Sequence, residues 1–296
     1  MPGDIRTEPY LNHEEVLGLN FIRDPGIYLY RRHYRAGLRS HIMEVLDPGD
    51  VEKEKKGITI DGLRWFPRSK PLKMLRIFRT KFNSLKEAEK ELARVKIIVA
   101  YLAPGYIARS EEFLVDYKLH RNHEPLLCGL QEFVEGEIMD PWRHLDRGHL
   151  VSLFQRLGFE AAKDPDRTVD RWIRKILSRA RIFVQRLKKM ILEVNHIPDL
   201  AGVGNLLITR SGDIKLVDIN NISRVSLDPN INLDDRGYPV CDKSIEALSL
   251  LEQTLLGRSV DRKDIIYKTF LDAKRMEEVK ALEKEFHISM QPATYA

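Results

Sequence analysis

The densest run of chemistry-bearing residues is His196-Ile-Pro-Asp199-Leu-Ala-Gly-Val-Gly-Asn205, continuing through Leu-Leu-Ile-Thr-Arg-Ser-Gly-Asp-Ile-Lys-Leu-Val-Asp218-Ile-Asn220. A loop bearing Asp199 and Asn205 leads into two short apolar stretches around Ser211-Gly212, and these return a second carboxylate, Asp218, to the same end. Two carboxylates and an amide oxygen gathered at strand ends suit Mg²⁺, which takes hard oxygen ligands and completes its shell with water and phosphate oxygens. A carboxylate beside such an ion can accept a proton from an incoming hydroxyl. Simpler roles are also open. An Asp after proline can hydrogen-bond a turn, and Asn220 and Asn221 read as turn formers. An apolar strand that ends in Asp218 needs a partner for its charge.

The elements that must position these groups are legible in outline. Ile58–Phe66 reads as a hairpin with Asp61-Gly62 at its turn. Leu72–Phe78 reads as a strand with Leu72, Met74 and Phe78 on one face and Arg76 as the polar exception. Ser84-Leu-Lys-Glu87 is a capping box opening a helix that runs to about Leu102. Further strands are expected at Glu112–Tyr117 and Leu126–Val134. The segment from Asp47 to Gly57, charged and turn-rich, reads as a loop. The second part is mostly helical. Its clearest helix, about Val169–Val194, carries Ile173, Ile176, Ala180, Phe183, Leu187, Met190 and Val194 at spacings of three and four. Pro198 is expected to break the chain after it. Asn205–Thr209 and Asp213–Asp218 form a hairpin, and residues 243–257 and 261–285 are helical again. A strand-rich front joined to a helical back predicts a two-lobed α+β protein.

In order and content, the 196–220 run resembles the catalytic segment of the protein-kinase-like superfamily. That family carries a His-x-Asp loop with a downstream Asn, then an Asp-Phe-Gly triplet after a hairpin. The resemblance implies a small strand-rich N-lobe and a larger helical C-lobe. The corresponding division is 1–46 as an extension packed on the core, 47–134 as the N-lobe and 135–296 as the C-lobe. Asp199 would be the catalytic base, with Asn205 and Asp218 holding Mg²⁺. Gly129–Gly136 looks like the segment linking the lobes, so Glu132 and Val134 would lie against the adenine of ATP. Helix 84–102 looks like the family's αC helix, with Glu91 as its ion-pairing acid and Arg76 in place of the phosphate-anchoring lysine. Asp242 looks like the buried acid that leads a helix and anchors the catalytic loop. The implied activity is Mg²⁺-dependent transfer of the ATP γ-phosphate to a hydroxyl acceptor: a small molecule, a lipopolysaccharide-type glycan or a protein.

The pattern also departs from the family. Asp199 and Asn205 stand six apart rather than five, two residues rather than one separate His196 from Asp199, and the triplet is Asp218-Ile219-Asn220. No Gly-x-Gly-x-x-Gly precedes Arg76, and Arg does not replace Lys as a compact point charge. A pseudokinase, binding without phosphoryl transfer, is therefore the alternative reading.

Composition bounds the rest. The chain has 296 residues, 43% hydrophobic and 31% charged, which excludes disorder and a disulfide scaffold. Apolar runs such as Ile97–Ala103 fall short of the roughly 20 residues of a membrane span. The N-terminus shows no charged-then-apolar leader, and only Cys128 and Cys241 occur, so a reducing, cytoplasmic setting is expected. His120/His123 and His144/His149 lack zinc-site spacing. The net charge of +5 raises the chance of an anionic surface as partner, for which Tyr28–Arg35 and the basic face of helix 169–194 are candidates.

Overall fold

The computed structural model describes residues 3–34, 39–158, 165–261 and 263–290; Arg35, the end of the basic aromatic run, lies outside them. The chain is a mixed α/β protein with an antiparallel, strand-rich sheet and helices, and it divides into two compact units. The first comprises Met1–Arg94 and Ala108–Phe133, the second Val95–Ile107 and Val134–Ala296.

In the first unit, a short helix α1 (His13–Leu17) precedes strands β1 (Leu29–Arg32) and β2 (Ser40–Leu46). Helix α2 (Pro48–Lys56), strands β3 (Ile58–Ile60), β4 (Leu63–Trp65) and β5 (Lys73–Phe78), helix α3 (Leu85–Leu102, of which this unit holds the part up to Arg94), and strands β6 (Ser110–Leu119) and β7 (Asn122–Glu132) follow. The main sheet has the order β1-β2-β5-β7-β6. Residues 1–46 supply its first two strands and also, through Ile5, Leu11, Val16 and Leu19, an apolar cover for Met43, Leu75, Ile77 and Leu126. Strand β5 is buried on both faces from Met74 to Phe78, whereas Leu72 precedes it and is exposed. Cover on each face explains this, Leu75 and Ile77 packing with Leu11 and Val16 and Phe78 with Phe82 and Ala88, because a strand covered on both sides loses the in–out alternation expected of a half-exposed one.

The segment Asp47–Gly57 is helical, not a loop. The Asp47 carboxylate accepts the Asp50 N–H at 3.1 Å, Pro48 occupies the first turn, and Gly57 ends the helix at φ 75°. Residues that suggested turns are thus a cap, a pre-set first turn and a left-handed stop. By contrast, the 58–66 hairpin forms as expected, with Asp61 and Gly62 at φ 50° and 79°. Along α3, Ala88, Val95, Ile98 and Leu102 form one buried stripe.

The second unit takes the end of α3 from Val95, then strand β8 (Gly136–Ile138) and helices α4 (Arg147–Arg156) and α5 (Pro165–Val194). Strands β9 (His196–Pro198), β10 (Leu206–Thr209), β11 (Ile214–Leu216) and β12 (Ile222–Arg224) come next. Helix α6 (Val240–Leu250) runs on into a π-helical turn, Leu251–Leu255, and helices α7 (Ile265–Phe270) and α8 (Ala273–Met290) complete the unit. The buried stripe of α5 forms its core with Leu206, Ile208, Ile214, Leu216 and Ile245. Two expectations change here. Helix α5 ends at Asn195, in the left-handed region at φ 55°, while Pro198 lies within β9 opposite Ile222. The C-terminal helix is split, because the Asp272 carboxylate accepts the N–H groups of Lys274 and Arg275 and starts α8 afresh. The basic side of α5 is also partly committed: Lys188 pairs with Glu252 at 2.8 Å and Asp264 at 2.9 Å, and Arg179 with Asp213 at 3.2 Å.

Candidate functional site

Strand β9 pairs with β12, and the chain leaves β9 through Asp199, whose N–H donates to the Asn221 carbonyl at 2.8 Å. One carboxylate oxygen of Asp199 accepts the N–H groups of Ala201 and Gly202, at 2.9 and 3.1 Å, which folds the loop back on itself. The other accepts the Asn221 side-chain amide at 2.9 Å. The turn-forming role considered for Asp199 is therefore realised, and Asn221 serves as its partner. Burial and the nearby negative charge of Asp218 push the Asp199 carboxyl above the ordinary range, and these three donors only partly offset that.

Asn205 closes the loop. Its side-chain N–H donates to the Asp199 backbone carbonyl at 3.0 Å, and its own backbone carbonyl accepts the Val217 N–H at 2.8 Å. The second bond ties the loop to the residue before Asp218. The β10–β11 hairpin fixes the same end through Leu206↔Leu216, with Gly212 at φ 77° in the turn. Asp199, Asn205 and Asp218 are thus brought together within one unit, by bonds from the loop to β12 and to the end of β11.

Gly202 makes this possible. A Cβ there would lie 2.5 Å from the Asn205 side-chain nitrogen and 2.9 Å from its Cγ. Gly202→Ala is expected to push the carboxamide off the Asp199 carbonyl at a cost of about 1–3 kcal/mol, read by urea denaturation. A variant as stable as the parent would mean that the loop yields without losing that bond.

Three residues that the sequence did not single out hold the loop from outside. Trp142 donates its indole N–H to the Ala201 carbonyl at 2.8 Å, and the Lys243 ammonium lies 4.3 Å from the centre of the Trp142 ring. Ser244 accepts the Leu200 N–H at 3.2 Å. That last contact is the anchor expected of Asp242, which instead pairs with Arg275 at 2.6 Å. Lys243 and Ser244 follow Asp242 on the same helix and so stood near a sequence signal, whereas Trp142 did not.

Of the remaining candidates, Arg76, Glu91 and Glu132 belong to the first unit and Val134 to the second. Arg76 is buried in β5 with its guanidinium 5.3 Å from the Phe78 ring centre. Glu91 pairs at 3.0 Å with Arg94 of its own helix, and no ion pair joins it to Arg76 among the described residues. A neighbour one turn away on the same helix satisfies the acid more readily than a residue of another element. Glu132 ends β7; its carboxylate accepts the Arg109 N–H at 2.9 Å and its own N–H donates back to the Arg109 carbonyl at 2.8 Å. Val134 is half-buried in the segment joining β7 to β8. Both thiols are buried, which pushes Cys128 and Cys241 up to about 12 and leaves neither suited to nucleophilic chemistry.

No protein-family model matches the chain, and no curated protein matches it. Among solved structures, the "ROP18 kinase domain in complex with AMP-PNP and sucrose" is similar at 10% identity over 90% of this chain and 84% of that one. Its TM-score of 0.35 is too low for the likeness to carry an argument about the fold. Among the described residues no helix is long and apolar enough to cross a membrane.

Proposed function

We propose that the chain is a two-lobed, kinase-like protein that binds Mg²⁺–ATP through Asn205 and Asp218 and transfers a phosphoryl group to a hydroxyl acceptor. The observation that supports this best is the double use of Asn205. Its amide nitrogen is spent on the Asp199 carbonyl and its backbone carbonyl on Val217, so its side-chain oxygen remains an acceptor beside the Asp218 segment. An amide oxygen and a carboxylate are hard donors that fit Mg²⁺. Among the described residues no group of three or more His, Cys, Asp and Glu could hold a metal alone. Phosphate and water oxygens would accordingly supply the rest of the shell. When bound, the ion would neutralise charge on the transferred phosphate. The chain's own residues would do the placing: Asp199 would orient the acceptor hydroxyl, and Trp142 and Ser244 would keep its loop in register.

The second reading, a pseudokinase, is favoured by two specific contacts. Three donors already occupy the Asp199 carboxylate, and Glu91 is committed to Arg94. Thermal-shift titration with ATP in the presence of Mg²⁺ or EDTA tests nucleotide binding. ATP turnover over a panel of hydroxyl acceptors then separates the two readings. Mg²⁺-dependent stabilisation with turnover supports transfer, and stabilisation without turnover supports the binding module. Absence of any stabilisation removes both.

A further inference from the structure

The basic run once expected to meet an anionic surface is not free to do so at its start, because Arg31 is bonded to Glu44 at 2.7 Å and to Glu54 at 2.9 Å. A different segment has the required character. Residues 55–73 contain Lys55, Lys56, Arg64, Arg68, Lys70 and Lys73 against the single acid Asp61, six less one, which equals the +5 of the whole chain. All six basic side chains are exposed. Lys55 and Lys73 make no ion pair among the described residues. Among the described residues Arg64 reaches the Lys56 carbonyl and the face of Phe66 and makes no ion pair.

The β3–β4 hairpin lies in the middle of this charge. Its register pairs Ile58 with Trp65 and Ile60 with Leu63, while Thr59 pairs with Arg64. Because cross-strand partners share a face, one face of the hairpin is wholly apolar. That face is uncovered: Ile60 is 52% exposed, Leu63 75% and Trp65 61%, and the next residue in the chain, Phe66, is exposed as well, under the Arg64 guanidinium. A two-stranded hairpin gains little from its own contacts, so an open apolar face on it marks a surface to be covered. Aromatic and aliphatic side chains flanked in the chain by exposed Lys and Arg match the two requirements of an anionic bilayer surface, apolar burial at the headgroup boundary and attraction to the lipid charge.

We propose that the β3–β4 hairpin is a membrane-contact element, seating Leu63, Trp65 and Phe66 at the headgroup level of an anionic bilayer. Lys55, Arg64 and Lys73 meet lipid phosphates, whereas Lys56 is already paired with Glu52. The inference does not depend on the nucleotide reading.

Vesicle co-sedimentation of the full chain tests it, using phosphatidylcholine alone and phosphatidylcholine with phosphatidylserine at about 7:3. Binding is expected to the mixed vesicles only and to weaken as salt is raised. Trp65 is the exposed member of three tryptophans, so its emission is expected to shift to the blue on binding. A Leu63→Ser, Trp65→Ser variant and a Lys55→Glu, Arg64→Glu variant are each expected to lose about tenfold or more in binding. Thermal midpoints of both should stay near that of the parent, since the altered side chains are exposed. Equal binding to neutral vesicles, variants that bind as the parent does, or binding to heparin or duplex DNA with none to vesicles would each overturn the proposal.

Discussion

Asp218→Asn is expected to abolish the Mg²⁺-dependent part of the stabilisation by ATP. At a ligand concentration about 100 times the Kd, that part is worth about 2.7 kcal/mol in the parent, read as a fall in the thermal-shift response. The same variant has a second readout that needs no nucleotide. Asp199 holds its proton more tightly in the folded chain than an ordinary aspartate, through burial and then the charge of Asp218. A carboxyl raised in this way binds more protons in the folded state. The contribution of Asp199 to stability is therefore greatest below the ordinary aspartate range and declines as pH rises through the raised value. Removing the Asp218 charge should shrink that decline, so stability measured between acid and neutral pH should flatten in Asp218→Asn. An unchanged pH profile would show that the two side chains do not sense each other. An unchanged Mg²⁺ response would remove Asp218 from the metal site.

Arg275→Ala should be the most destabilising of the single substitutions considered. Arg275 and Asp242 are almost fully buried, with side chains 7% and 3% exposed, and bond at 2.6 and 3.3 Å. The same guanidinium donates to the Asp228 carbonyl at 2.7 Å and lies 4.4 Å from the Phe270 ring centre. Burial pushes the Asp242 carboxyl upward even with Arg275 beside it. Removing the arginine would strand that acid together with a backbone acceptor, at a cost of about 3–5 kcal/mol in urea denaturation. An Asp242→Leu, Arg275→Met double variant should recover much of the loss, because an apolar pair leaves no buried charge unmatched. A loss under about 1 kcal/mol in Arg275→Ala would place this pair in the class of surface ion pairs.

The parts of the fold legible in the sequence are those with local causes. Asp61-Gly62 and Ser211-Gly212 mark their hairpins through backbone conformations that glycine admits. The stripes of α3 and α5 follow from three- and four-residue spacing. Helix α2 was hidden because Asp, Pro and Gly serve both turns and helix ends. Only the Asp47-to-Gly57 distance, one short helix long, distinguished the two. At the site, the proximity of Asn205 and Asp218 could be foreseen from the hairpin between them. The Arg76–Glu91 pairing rested on resemblance alone, with no local feature requiring it, and Glu91 took the neighbour its helix provides. Trp142 left no trace in the sequence. Its bond to Ala201 spans 59 residues and exists only through tertiary packing.

The way the 199–205 loop satisfies its own amides has a kinetic consequence. At least five of its seven backbone N–H groups, those of Asp199, Leu200, Ala201, Gly202 and Asn205, have acceptors within the protein. Although irregular, the loop should resist deuterium uptake as a strand does and should open as a single cooperative patch with the Val217 amide. Mass spectrometry of exchanged peptides would then show two populations there rather than a gradual drift whenever reclosing is slower than exchange.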